Sequence, residues 1–223
     1  MTEPVRVMIE RGKKKRVVAA AFDWPGWDRW GRTDGESLEV LETYRPRYAK
    51  VAELAGYGKP FAALGAPEVV EDVPGIGMTD FYGVSSVPAT PEKVPMTTAE
   101  CDRKMALLEA TWATFDATFA RVSDDLRKGP RGGGREKDVI RRHVVGWEIY
   151  DLAKKVGVDR PVDTRDDPIA LAAYRGDFVA ALRKYNAEAL MARTWFVQVL
   201  IRRCAWHMLD HAWELEDRDL TDA

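Results

Sequence analysis

Two periodicities divide the chain. Up to about residue 94 the apolar positions come in short alternating runs, and from Thr97 onward they recur every three or four residues. Period two predicts strands and the longer period predicts amphipathic helices. Val5, Val7 and Ile9 alternate with Arg6, Met8 and Glu10, and an apolar run at 17–22 follows the basic stretch RGKKKR. That pattern predicts two strands joined by a tight turn. Residues 23–31, DWPGWDRWG, read as a turn, with Pro25 fixing φ and Gly26 supplying the positive φ of type II. Thr33 and Glu36 form a T-x-x-E capping box. It opens a helix through Leu38, Leu41, Tyr44 and Tyr48 to about Ala55, kinked or divided at Pro46. Residues 56–96 are rich in Gly, Pro, Val and Ser. Strands are expected there at 68–73 and 79–84, extending the sheet, with 88–95 as a linker.

The second part predicts four helices. Thr97 or Thr98 caps the first, whose stripe of Met105, Leu108, Trp112, Phe115, Phe119, Val122 and Leu126 runs to Lys128-Gly129-Pro130. The second spans about 136–156 with Ile140, His143, Val144, Trp147 and Asp151 inward, and the third about 169–185 with Leu171, Tyr174, Phe178, Leu182 and Tyr185. The last covers 194–218 and has no Gly or Pro. Its apolar face carries Val199, Leu200, Cys204, Met208 and Leu215, with Arg202, Arg203, Glu214, Glu216 and Asp217 on or near the polar margins. The fold class expected is α+β, a small sheet domain at 1–94 followed by a four-helix bundle at 97–218.

That pattern puts the chain's three histidines in unusual places. His207 and His211 stand four apart, one helical turn, on an apolar face, and His143 lies on the inward stripe of the second helix. Imidazoles one turn apart have the spacing two ligands of one metal need, and a third leaves part of the coordination sphere open for water or substrate. Such ligands must be neutral, so binding should weaken below the ordinary histidine pKa of about 6.5. The competing reading of each histidine is a satisfied core residue. Glu148 and Asp210 lie near these histidines in sequence, and either orient a ligand imidazole or move a proton, or are surface carboxylates. Cys204 reads as a small core residue outside the site. The RGGGR stretch at 131–135 is a flexible connection or, at a helix N-terminus, a clamp for an anionic substrate. It is not a phosphate-binding P-loop, since no G-K-[ST] follows.

Composition narrows the rest. The 223 residues are 46% hydrophobic and 31% charged, as in ordinary globular proteins, and a net charge of −2 argues against a general nucleic-acid binder. Lys13 to Lys15 then read as a solvated hairpin tip. Two distant cysteines give no disulfide framework, and neither an export signal nor a membrane-spanning run is evident, so a cytoplasmic location is expected.

Two resemblances follow. Asp23, Pro25, Gly26, Gly31, Thr33, Glu36 and Leu38 give the first part the order of a HicB-like antitoxin domain. That resemblance implies a ββαβ-type unit used for dimerisation and for binding a partner. RRHVVGWE at 141–148 and WHMLDHAWE at 206–214 make the second part similar to the DinB superfamily. Its relatives include YfiT-like metal hydrolases and mycothiol-dependent maleylpyruvate isomerase. This resemblance implies a metal triad of His143, His207 and His211 holding zinc, nickel or another divalent ion. It also implies a small-molecule substrate, possible use of a low-molecular-weight thiol, and a homodimer. The expected function is metal-dependent hydrolysis or thiol-dependent transfer, with no catalytic residue assigned beyond the ligands. The alternative is a non-enzymatic binding or regulatory protein in which the first part recruits a partner and the bundle is scaffold or metal sensor.

Overall fold

Alternation along β1 (Val5–Arg11) produces the expected hairpin with β2 (Val17–Ala20), antiparallel from Met8 opposite Ala20 to Arg11 opposite Val17. The computed structural model describes residues 2–128 and 134–221. Val5, Val7 and Ile9 face a core shared with Trp27, Leu41 and Tyr48, whereas Met8 packs on the other side with Ala20, Phe22 and Ala89. Trp27 N–H closes the turn onto the Trp24 carbonyl at 3.1 Å, and Gly26 has φ +94° as a type II turn requires. A Cβ on Gly26 would meet Leu209 Cδ1 at 2.8 Å and the Ala205 backbone at 3.0 Å, so this glycine also lets the turn seat against the last helix.

Beyond that turn the expectation fails for half its length. Residues Asp28–Gly31 form β3, pairing antiparallel with β2. The segment DRWG has none of the alternation that marks a strand, and it is held by the free edge of β2. Thr33 then caps α1 (Asp34–Thr43), its Oγ1 accepting from Glu36 N–H at 3.1 Å. Pro46 divides the predicted helix, opening α2 (Arg45–Leu54) in its first turn. The short α3 (Gly58–Ala62) leads to β4 (Pro67–Pro74), which lies parallel to β1 and completes a sheet of order β3-β2-β1-β4.

The strand expected at 79–84 is instead a helix, α4 (Gly77–Tyr82). Thr79 Oγ1 accepts from Ile76 N–H at 2.9 Å and starts the turn, and Gly83, at φ 67°, stops it by donating to the Thr79 carbonyl. Asp80 accepts from the backbone N–H groups of Lys13 and Lys14, both at 2.9 Å, so the basic hairpin tip rests on α4.

The longer periodicity gives four long helices. Thr97 and Glu100 cap α5 (Thr98–Arg121) reciprocally. This helix stops well short of residue 128, because Ser123 N–H donates to Asp219 at 2.9 Å and Arg127 N–H to the Arg218 carbonyl at 2.7 Å. Val122 and Leu126 stay buried on irregular chain beyond the helix. α6 (Lys137–Trp147) widens into a π-turn at Glu148–Leu152 and tightens again at Ala153–Val156. α7 (Pro168–Ala187) and α8 (Val197–Asp217) follow, the latter starting after a bridge between Ala192 and Trp195. Met105, Ile140, Val144, Phe178, Leu200 and Met208 place all four helices around one core. Leu107 and Ala110 of α5 and Leu209 and Trp213 of α8 point the other way, into the core beneath the sheet. The fold is α+β, with α5 and α8 as the layer common to sheet and helices. No helix among the described residues is long and apolar enough to cross a membrane.

The margin assigned to α8 needs correction. Arg202 is 1% exposed and Arg203 6%, so neither lies on a solvated face. Arg202 reaches the carboxylates of Glu92 (2.8 and 3.0 Å) and Asp28 (3.2 Å), the Ser85 hydroxyl, and the Val87 carbonyl at 2.9 Å. Ser85 in turn donates to the buried Glu10 at 2.9 Å. A guanidinium buried at such depth needs this many acceptors to offset its desolvation. The network joins β1, β3 and the segment before α5 to the helix that carries two of the histidines.

Candidate metal centre

Helical periodicity aims His207 and His211 from successive turns of α8, and α6 crosses so that His143 meets them. The three ring centres stand 4.9, 5.2 and 5.0 Å apart, with planes 79–87° to one another. One nitrogen from each lies within 4.8 Å of the others, and Nε2 of His143 faces Nε2 of His207 at 3.2 Å. Two ligands about 2.0–2.1 Å from a tetrahedral ion stand roughly 3.3 Å apart, so that separation fits a shared cation. Without one, a single proton between the facing nitrogens must serve both lone pairs.

The electrostatics favour neutral rings at His143 and His207. Burial first, then the positive charge of Arg135 and His211, lowers His143 to about 4. Burial likewise pushes His207 well below its ordinary value. The Nδ1 of His207 is buried with no partner among the described residues. His211 is held from behind, its Nδ1 lying 2.7 Å from Glu214 Oε2. A carboxylate there accepts a hydrogen bond from Nδ1–H, which fixes that tautomer and leaves the Nε2 lone pair for a ligand role. Burial raises the pKa of Glu214, but hydrogen bonds from His211 and Arg218 outweigh it and hold the carboxyl below its ordinary range.

Glu214 is the contact of the candidate site that sequence reasoning missed. Its signal was present, three residues after His211 and hence one turn along the same face. Replacing it with alanine should weaken divalent-metal affinity about 10- to 100-fold, the usual cost of losing such a support. Competition with a chromophoric chelator at neutral pH measures this, and an unchanged affinity would remove Glu214 from the centre.

The carboxylates considered from sequence go elsewhere. Glu148 is fully buried on the π-turn, accepts from Trp112 Nε1 at 2.6 Å, and is pushed up to about 7 by that burial. It is neither a surface group nor among the three histidines. Asp210 lines the histidine cleft but lies 3.6 Å from Arg29. Cys204 is buried in the helical core, and burial pushes its thiol well up, so it stays outside the site. Of the glycine-rich stretch, residues 131–133 lie outside the described residues, but Arg135 is among the residues lining the histidine cleft. That cleft holds about 470 Å³, walled by Trp147, Trp206, Tyr82 and Tyr150. Compared with known protein families, curated proteins and solved structures, the chain finds no match.

Proposed function

We propose that the chain is a divalent-metal-dependent enzyme of DinB-like type, with His143, His207 and His211 as the protein ligands. The observation that carries this reading is the convergence of every histidine in the chain, from two helices, on one point beside an open cleft. In this proposal α5 to α8 are the DinB-like bundle and the sheet with α1 and α2 is the HicB-like part. The chemistry such an ion, zinc or nickel, supplies is activation of a water or thiol near neutral pH. The chain's own residues keep His143 and His207 deprotonated, hold His211 in one tautomer through Glu214, and shield the centre with Trp147 and Trp206. Hydrolysis and thiol-dependent transfer are both compatible with that arrangement.

The competing reading is a binding or metal-sensing protein. It is favoured by Phe81 and Tyr82, 75% and 57% exposed, with Tyr82 at the cleft itself. Protein purified without a metal-affinity tag, in neutral chelator-free buffer, should carry close to one zinc or nickel per chain by elemental analysis. The loaded form should turn over ester, amide or thiol-conjugation substrates in a screen. Absence of any bound zinc, nickel, manganese or iron sinks the metalloenzyme. Stoichiometric metal without turnover favours the sensor.

A further inference from the structure

Arg203 stands one turn before His207, on the wall of the same cleft. Its guanidinium lies 4.6 Å from the ring centre of Trp206 and 5.2 Å from that of Trp147. Neighbouring Arg202 is saturated with acceptors, but Arg203 is not. Its Nη1 is buried without any hydrogen-bond partner, and no carboxylate pairs with it among the described residues. Aromatic contact engages the face of a guanidinium and leaves its in-plane N–H groups unserved. A guanidinium with a buried Nη1 and no acceptor for it is complementary to a carboxylate oxygen. Burial lowers Arg203 to about 10, which leaves it charged at neutral pH.

The surroundings point the same way. Arg135 brings a second cation to the cleft, and the acidic residue of its lining, Asp210, already faces Arg29. Trp147, Trp206, Tyr82 and Tyr150 offer flat, largely apolar walls, which suit an organic body and do nothing for a free inorganic anion.

We infer that Arg203 is a carboxylate-binding subsite beside the three histidines, and that the cleft takes a small organic acid whose flat or apolar body lies against Trp147 and Trp206. Its catalytic meaning rests on the metal reading above, but its binding does not.

The test is calorimetric titration of the full chain, freed of metal by a chelator and dialysed. The probes are benzoate, its neutral analogue benzamide, and inorganic phosphate. Wild type should bind benzoate at least tenfold more tightly than benzamide or phosphate. Arg203→Met should abolish that preference and leave benzamide binding unchanged, and Arg203→Lys should retain only part of it, having lost the fork. Equal binding of benzoate and benzamide by wild type overturns the inference whether or not the variants fold. So does an Arg203→Met protein that keeps the preference, or phosphate binding as tight as benzoate. Because metal is absent throughout, a benzoate preference in a chain that takes up no metal would sink the metal reading and keep the subsite.

Discussion

His207→Ala protein is expected to retain no divalent metal while keeping the helical circular-dichroism signal of wild type. His207 is the most enclosed of the three imidazoles, 5% exposed, and its Nε2 faces that of His143 at 3.2 Å. Removing it leaves two imidazoles on different helices, too few protein ligands for the usual catalytic site. The helix should survive, since alanine is the best helix former and the substitution also removes a buried Nδ1 that has no partner among the described residues. Wild-type metal content in this variant would exclude His207 as a ligand.

The same residue should leave a mark on metal-free stability. Unfolded imidazoles take protons near pH 6.5, whereas folded His143 does so only near 4 and folded His207 well below 6.5. Below 6.5 the unfolded chain therefore binds more protons, and stability must fall as pH drops through that window. Urea unfolding of chelator-treated protein at pH 7.5 and 5 should show a smaller loss for His207→Ala than for wild type. Equal losses would mean that His207 is not buried in its neutral form.

Arg202→Met should be the most destabilising of these substitutions, costing about 3–5 kcal/mol, the usual range for breaking a buried ion pair from one side. Methionine fills much of the volume but leaves Glu92 and Asp28, 1% exposed each, with uncompensated charge. Burial already raises Asp28 to about 6 against the pull of Arg202, and losing Arg202 must raise it further. A carboxyl whose folded pKa exceeds its unfolded one stabilises at low pH and loses that contribution as pH rises through the folded value. The deficit of Arg202→Met should therefore be smaller at pH 5.5 than at pH 8, by urea unfolding of both proteins at each pH. A loss below about 1 kcal/mol at pH 8, the level of an exposed pair, would mean that water reaches this network.

Local chemistry determined a good part of this molecule. Apolar residues at three- and four-residue spacing marked α5 to α8, Thr33 and Thr97 marked helix starts, and Pro25-Gly26 marked a turn. In each case the physical cause acts within a few residues: a side-chain period, a cap, a φ preference. The same periodicity placed His207 and His211 on one face, and His143 on another helix's inward stripe. It could not bring α6 beside α8, which depends on contacts between residues some 64 apart in the chain. Tertiary structure alone decided three further things. β3 exists because β2 had a free edge, and α5 ends early because the end of α8 captures the chain beyond it. Adjacent arginines on one helix met different fates, Arg202 enclosed by acceptors from the sheet side and Arg203 packed against Trp147 and Trp206 on the cleft wall. Helical periodicity sets the direction a side chain takes, and only the packed neighbours decide whether it meets a carboxylate, an aromatic ring or an opening.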